Sequence, residues 1–289
     1  WMPLRPLVPD AQGRIYRSFD FGDLVSLHML DTRLIGRDRQ LSTQDFIDSA
    51  SGQLDVERYV AALGNPQRSL LGLAQRQWLY GSLQQSQARW QVLGQQILMA
   101  RMNLPVAMLQ SLAEHRDFGR TAPLARELVA DKRSLLAGED LSEKQLERLQ
   151  QSTAYNLDAW DGYPAEREQL YAVAQRLGKQ LVVLAGDTHN AWHSELRDRR
   201  GQRVGTEFAT PGVSSPGMES YLRLDGTHAA ELATAMTTLI DELQYWQLRQ
   251  RGFLEIEFRQ DACDVSWHLL DSVQRRDYAV STRHFQLTV

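Results

Sequence analysis

The sequence is poor in cysteine, lacks long apolar runs and has no large excess of either charge. Its single cysteine, Cys263, cannot form an internal disulfide, and no other Cys or His lies near it at the spacing of a metal site. The longest apolar runs, such as residues 181–185, are far shorter than the ~20 residues that a membrane-spanning helix needs. These absences exclude an internal disulfide framework and predict no membrane span within the sequence.

Charge is balanced along the chain. The 32 Lys and Arg residues and the 36 Asp and Glu residues give a formal net charge of −4, with both signs spread throughout. No basic patch predicts a nucleic-acid partner, so an anionic ligand would have to be held by a local site. The 289 residues, 43% hydrophobic and 24% charged, are typical of a globular protein, and we expect one large domain. The sequence leaves the oligomeric state open.

The first residues do not resemble the natural start of an exported protein. Trp1 is followed by Met-Pro-Leu-Arg-Pro, without the basic region and apolar core of a signal peptide. We interpret this start as that of a processed, truncated or incompletely recorded chain.

Hydrophobic periodicity and turn residues predict an alternation of strands and helices. Strands are expected on both sides of Gly22-Asp23 and at residues 90–100, 180–185, 252–259, 263–270 and 281–289. Helices are expected at residues 56–63, 74–87, 164–178 and 228–248. Residues 103–155 are the most helical and most charged segment, which we interpret as a helical insertion. An alternation that ends in antiparallel strands predicts a mixed α/β (α+β) fold with layered sheets.

The most informative segment is LVVLAGDTHNAW, residues 181–192. A buried strand runs into Gly186, where the chain can turn sharply, and polar side chains follow at the end of the strand. Asp187 and His189 are two residues apart, so a carboxylate oxygen and an imidazole nitrogen can point at a common metal ion. Asn190 would donate an amide hydrogen bond to a phosphate oxygen or a metal-bound water. The alternative is an ordinary strand-to-loop turn that Asn190 stabilises.

The motif GDTHNAW resembles the last metal-binding motif of the PhoD-like alkaline phosphatases, a branch of the calcineurin-like metallophosphoesterases. The wider superfamily has Gly-His-x-His at this point, whereas the PhoD-like branch has Asp where this chain has Asp187. No Gly-Asn-His motif follows, so the motif is the closing one of its series. Other segments resemble the family in the same order: FGDLVSLHMLDTR (21–33), RQWLYGSLQQSQARWQVLGQQILMA (76–100), WDGYPAER (160–167), TEFATPGVSSPG (206–217) and RGFLEIEF (251–258).

The resemblance implies the C-terminal part of a layered αββα metallophosphoesterase sandwich. Residues 1–289 would be one portion of a single domain, and residues 103–155 would be its helical insertion. The implied activity is hydrolysis of phosphate esters, monoesters or diesters, by metal-activated water, with Asp187 and His189 as two of the metal ligands. Iron with calcium and an exported location are implied by the family as well.

The family's earlier metal motifs are absent from this sequence. They are a Ser-Cys strand end, a Gly-Asp-x-x-Tyr segment and a Trp-Asp-Asp-His-Glu-like segment. Two ligands do not hold a catalytic pair of metal ions, so we expect this chain to be inactive unless an N-terminal segment of the same domain joins it. The alternative hypothesis is a non-catalytic fragment or binding module with an incomplete metal site.

Two further segments supply candidate site residues. Asp31 and Arg33 match the family's Leu-Asp-Thr-Arg, and Arg33 would reach a phosphate oxygen or orient a metal-ligating carboxylate. The alternative is a structural pair between Asp31 and Arg33. Trp160, Asp161 and Tyr163 precede the predicted helix at 164–178. They would either line the rim of the pocket and contact the substrate, or serve the core and the helix end.

Two patterns argue against other hydrolase mechanisms. His193 is four residues after His189, but the Glu of the His-Glu-x-x-His zinc motif is missing, so we expect His193 to be exposed and not a ligand. Ser214 and Ser215 lie in GVSSPG, which departs from the Gly-x-Ser-x-Gly motif of serine hydrolases.

Overall fold

A computed structural model of the protein describes residues 14–49 and 55–288, in which strands and helices alternate before a final run of strands. The strands are β1 (Arg17–Phe21), β2 (Val25–Met29), β3 (Trp90–Gln95), β4 (Asn103–Pro105), β5 (Ser152–Ala154), β6 (Leu181–Ala185), β7 (Ala191–Arg197), β8 (Arg203–Ala209), β9 (Leu243–Gln247), β10 (Arg251–Phe258), β11 (Ala262–Leu270) and β12 (Val280–Thr288). The helices are α1 (Val56–Leu63), α2 (Gly72–Gln85), α3 (Val106–His115), α4 (Phe118–Leu136), α5 (Glu143–Gln150), α6 (Pro164–Arg176), α7 (Met218–Tyr221) and α8 (Gly226–Leu239). Trp1 and the last residue of the predicted strand 281–289 lie outside the described residues.

Seven strands form one mixed sheet in the order β1-β2-β3-β6-β8-β7-β9. The pairs β2–β3, β3–β6 and β6–β8 are parallel, and the remaining pairs of this sheet are antiparallel. The carboxyl ends of β2, β3, β6 and β8 therefore meet at one edge, where open α/β sheets hold their ligands. Asp31 and Arg33 follow β2, and Asp187 and His189 follow β6, so these predicted site residues reach the same edge.

Helices cover one face of this sheet, and the three-stranded sheet β10-β11-β12 covers the other. Strand β6 contributes to both interfaces because its side chains alternate between the two faces. Leu181 and Val183 pack in the core on the helical side, whereas Val182 packs with Phe208 and Trp267 between the two sheets. The predicted α/β class with layered sheets is confirmed.

The predicted helices are largely present. The short helix at 56–63 has the predicted bounds, and α3, α4 and α5 occupy most of the segment 103–155. Helix α5 begins with a capping box in which Ser142 and Gln145 bond each other's backbone N–H groups. Among the helices of the described residues, none is both long enough and apolar enough to cross a membrane.

Two predicted elements end earlier than expected. The prediction of a helix at 228–248 is wrong beyond Leu239, where α8 ends. Ile240 has an extended backbone (φ −96°, ψ 109°), and residues 243–247 form β9. Strand β9 pairs with β7, and Trp246 packs on Trp192 with ring centroids 4.5 Å apart. These partners are distant in sequence, so a local pattern does not reveal them. The predicted strand 90–100 ends at Gln95, where the chain leaves the sheet.

Three buried carboxylates hold the backbone that follows β3. Glu207 accepts hydrogen bonds from Met99 N and Ala100 N. Glu242 accepts one from Arg101 N, and Asp161 accepts one from Met102 N. All four bonds are between 2.6 and 2.9 Å long. Burial raises the pKa of Glu207 and the pKa of Glu242 to about 7 each. The anchoring of residues 99–101 therefore depends on two acids, Glu207 and Glu242, whose pKa values are about 7.

The contribution of Glu242 to stability is expected to decline as the pH rises from about 4.5 to about 7. The pKa of Glu242 in the folded protein is raised to about 7, so the folded state binds the proton more tightly than the unfolded state does. This contribution is complete below the unfolded pKa and is lost as the pH rises through the folded pKa. Urea unfolding at about pH 5 and about pH 8 measures the change in the free energy of unfolding.

The variant Glu242→Gln tests the source of this pH dependence. Gln does not titrate, so the free energy of unfolding should fall less between about pH 5 and about pH 8 than in the unmodified protein. Glu207 and the buried His193 keep their own contributions, which have opposite signs. Glu139→Gln is the matched control, because Glu139 is exposed and its removal should leave the pH dependence as it is. A pH dependence that is the same in Glu242→Gln and in the unmodified protein would contradict the assignment.

Candidate metal and phosphate site

The loop after β6 has an unusual backbone. Asp187 and His189 have left-handed φ angles of +67° and +58°, which few non-glycine residues adopt and which concentrate at functional sites. Thr188 N donates to the carbonyl of Gly186 at 2.8 Å, and the Thr188 hydroxyl donates to the carbonyl of Asn190 at 3.2 Å. These bonds curl residues 186–190 tightly at the edge of the sheet, and the backbone strain marks them as a candidate site.

The imidazole of His189 is oriented by a backbone carbonyl. Its Nδ1 atom lies 2.8 Å from the carbonyl oxygen of Pro216. A carbonyl can only accept a hydrogen bond, so Nδ1 carries a hydrogen, and in the neutral imidazole Nε2 then has the lone pair. Metal-ligating histidines are typically held in this way, with one ring nitrogen donating to a carbonyl or carboxylate and the other facing the ion.

The carboxylate of Asp187 is half exposed and pairs with the guanidinium of Arg33. The same guanidinium binds both carboxylate oxygens of Asp158 at 2.8 Å. Arg37 forms a further ion pair with Asp158. Arg33 therefore bridges the carboxylates of Asp158 and Asp187. Its role in orienting a metal-ligating carboxylate stays a prediction.

Asp31 is fully buried, and its carboxylate accepts hydrogen bonds from the backbone of the turn that follows β2. The donors are Arg33 N at 3.0 Å, Leu34 N at 2.8 Å and Ile35 N at 3.2 Å. The predicted side-chain pair between Asp31 and Arg33 does not form. Asp31 instead shapes the turn from which Arg33 extends, so its geometry favours a positioning role over direct contact with a phosphate.

Asn190 ties the loop to the end of β9. Its side chain is 1% exposed, and its amide nitrogen donates to the carbonyl of Leu248 at 2.6 Å. One amide hydrogen is therefore engaged in holding the loop in place. The contact between Asn190 and a phosphate oxygen stays a prediction.

The residues of the loop after β6 line a single groove. Asp187, Thr188, His189 and Asn190 line a groove of about 600 Å³, whose remaining wall comes mainly from α3, α7 and Trp192. The two predicted metal ligands therefore lie at the same groove.

Trp160, Asp161 and Tyr163 do not lie on the rim of this groove. They are 0%, 4% and 1% exposed. The indole nitrogen of Trp160 donates to Gln95 Oε1 at 2.8 Å, Asp161 pairs with Arg167 at 2.7 Å, and the hydroxyl of Tyr163 donates to a backbone carbonyl at 2.7 Å. The predicted substrate contact is corrected to a structural role, because each side chain is buried and its polar atom already has a protein partner.

His193 is not exposed, contrary to prediction. It is 6% exposed and lies between Phe208 and Phe285, with ring centroids 5.0 and 4.1 Å away. Burial lowers the pKa of His193 to about 4, so the ring is neutral at ordinary pH. It serves the packing between the two sheets rather than the groove.

The donor set fits a metal ion in part. Asp187 offers a carboxylate oxygen and His189 an imidazole nitrogen, which are ligand types that transition metals accept. Residues 14–49 and 55–288 contain no group of three or more His, Cys, Asp or Glu side chains that could hold a metal ion. The described part of the chain therefore offers two candidate ligands, and a catalytic site needs more.

Sequence reasoning missed Asp158 and Arg37. Asp158 binds Arg33 across 125 positions of the chain, and Arg37 binds Asp158 across 121. Asp158 stands just before WDGYPAER in the segment YNLDAWDGY, where no local pattern separates it from a solvated loop carboxylate. Only the folded chain identifies its contact with Arg33.

The chain is similar to a protein-family model, to a curated protein and to a solved structure. The family model described as PhoD-like phosphatase matches residues 1–267. The curated protein alkaline phosphatase D of Bacillus subtilis (strain 168) is 32% identical over 233 residues, which are 78% of this chain and 30% of that protein. A solved structure titled Structure of PhoD superposes with a TM-score of 0.63 at 25% identity, over 99% of this chain and 45% of the other. The chain thus spans less than half the length of these relatives. Since the family model covers most of the sequence, the chain belongs to the PhoD-like phosphatase family.

Proposed function

We propose that this chain takes part in the hydrolysis of phosphate esters, with Asp187 and His189 supplying two of the metal ligands. The observation that carries the proposal is the strained loop at the end of β6. There the contact between His189 Nδ1 and Pro216 O, 2.8 Å long, leaves Nε2 available, and Asp187 lines the same groove. Membership of the PhoD-like phosphatase family supports the reaction class.

Metal ions bound at this site would supply a water activated for attack on phosphorus and would neutralise charge on the phosphoryl oxygens. His189 and Asp187 would hold such an ion. The choice of iron with calcium and an exported location stay predictions that rest on the family resemblance, as does the choice between monoesters and diesters.

Arg33 would hold Asp187 in place and offer positive charge beside it. The side chain of Arg33 is 31% exposed, and its guanidinium bonds Asp158 on one side and Asp187 on the other. Asp158, held by Arg37 as well, would fix the orientation of this guanidinium. We therefore add Asp158 to the proposed site as a positioning residue for Arg33.

A binding role with an incomplete metal site is the second candidate. It is favoured by the ligand count, since the described residues contain no group of three or more side chains that could hold a metal ion. Further ligands from outside the described residues would be needed for catalysis under the first proposal, and none is needed under the second.

Residues 1–289 alone are expected to hydrolyse p-nitrophenyl phosphate far more slowly than a complete metallophosphatase does. Two ligands leave most coordination positions to water, and such a site neither activates water strongly nor clamps the phosphate. The test compares residues 1–289 with the same chain extended by any coding sequence that the gene carries upstream of Trp1, both with added divalent ions. Activity in the extended form alone supports the catalytic proposal. Inactivity of both forms supports the binding role, and full activity of residues 1–289 would contradict the ligand assignment.

A further inference from the structure

The groove beside the Asp187–Asn190 loop has mainly apolar walls. The wall residues are Leu98 after β3, Leu109 and Leu112 of α3, Trp192 of β7, Met218 of α7 and Leu222 after it. Leu109, Leu112, Met218 and Leu222 are partly buried side chains that pack against the core, so their outer surfaces form the groove. We call this feature the apolar groove.

A second groove continues from the apolar groove. Its volume is about 1140 Å³, and it shares Leu109, Ala113, Tyr155 and Asn156 with the first. None of the described residues that line this second groove carries a charge. In the apolar groove the lining residues with full charges are Asp187 and Arg116. The two grooves therefore form one trough that leads away from the loop, and its charged lining residues all lie in the apolar groove.

The charges that line the trough favour one orientation of a bound phosphate ester. The anionic phosphoryl group would lie at the loop with Asp187 and His189, where the proposed metal ions and the Arg33 guanidinium provide positive charge. The alcohol portion would extend along the trough. In the second groove a charged alcohol would lose its hydration without gaining a charged partner, whereas an apolar one gains free energy from leaving water.

We propose that the apolar groove binds the alcohol portion of an amphiphilic phosphate ester, one whose alcohol is uncharged and carries an extended apolar chain. This inference rests on the proposed function, because it assigns the phosphoryl end to the Asp187–Asn190 loop. It makes Leu109 a specificity-determining residue, since Leu109 lines both grooves at their junction.

Binding of alkylphosphonates, which resemble phosphate esters but are not hydrolysed, tests the proposal on residues 1–289. Isothermal titration calorimetry compares hexylphosphonate with methylphosphonate, which should bind only weakly to the two-ligand site, in the presence of a divalent ion. Full burial of one methylene group raises affinity about fourfold, so partial burial of the longer chain should give at least about tenfold tighter binding of hexylphosphonate. Leu109→Gln should remove most of this difference by weakening the binding of hexylphosphonate.

Leu135→Gln is the matched control, because Leu135 lies on α4, is 41% exposed and lines neither groove. It should keep the full preference for hexylphosphonate. Equal affinities for the two phosphonates, no binding of hexylphosphonate, or a preference that Leu109→Gln leaves unchanged would each overturn the proposal. Metal binding by the same preparations is measured in parallel. If metal binding is intact but the preference for hexylphosphonate is absent, the groove proposal is wrong and the proposed function is not affected. If metal binding is absent as well, the proposed function itself is wrong.

Discussion

Replacing His189 by Ala is expected to lower the turnover of a phosphate ester by orders of magnitude. Nδ1 of His189 donates to Pro216 O at 2.8 Å, so the substitution removes an oriented Nε2 atom that we assign to the metal. His189 is only partly buried and lies in a loop after β6, so the fold should remain largely intact. The measurement is kcat/KM for p-nitrophenyl phosphate in the extended form of the protein, with circular dichroism to confirm folding.

His284→Ala is the matched control for this substitution. The side chain of His284 is 57% exposed on β12, so its loss should leave turnover unchanged. His193→Ala should lower stability, because His193 packs between Phe208 and Phe285, but it should not lower turnover per folded molecule. Losses of similar size from His189→Ala and His284→Ala would mean that the ligand is misassigned.

Replacing Arg167 by Met is expected to lower the free energy of unfolding by about 3–5 kcal/mol. The side chains of Arg167 and Asp161 are each 3% exposed, and their charged groups are 2.7 Å apart. Without Arg167 the carboxylate of Asp161 keeps only the hydrogen bond from Met102 N at 2.9 Å, and the carbonyl of Met99 loses its bond from Arg167. An unpaired charge in the core is strongly destabilising, and urea unfolding measures the loss.

Arg126→Met is the control for Arg167→Met. Arg126 pairs with Glu231, but its side chain is 63% exposed, and an exposed ion pair contributes about 0–1 kcal/mol. The double variant Arg167→Met with Asp161→Asn should recover part of the lost stability, because the carboxylate is neutralised together with its partner. The account is wrong if Arg167→Met is no more destabilising than Arg126→Met.

Local patterns identified the elements whose structure depends on nearby residues. The apolar run 181–185 followed by Gly186 predicted β6 and its loop, and the helical, charged composition of residues 103–155 predicted the segment that contains α3, α4 and α5. The resemblance of GDTHNAW to a known motif identified Asp187 and His189, which line one groove in the folded chain. These features depend on backbone propensity and on a short motif, both of which a sequence displays directly.

The features that the sequence did not reveal depend on distant partners. Residues 243–247 form β9 because β7 offers a pairing edge, although their apolar pattern also suits a helix. Asp158 belongs to the site because Arg33 reaches it across 125 positions. His193 is buried because Phe285, on the second sheet, covers it. Strands β7 and β8 were not predicted, since pairing between them and with β6 and β9 stabilises them.

Binding of a Co²⁺ ion tests most directly whether Asp187 and His189 share a metal ion. The ion accepts both nitrogen and oxygen ligands, and its visible spectrum responds to coordination. Residues 1–289, Asp187→Asn and His189→Ala are titrated beside two controls, His284→Ala and Asp241→Asn, whose side chains are 57% and 78% exposed. Loss of an outer hydrogen-bond partner of a ligand typically lowers metal affinity about 10–100-fold, so loss of a ligand should lower it by at least about tenfold. The account predicts that loss for Asp187→Asn and His189→Ala with both controls unchanged, and binding that survives both substitutions would contradict it.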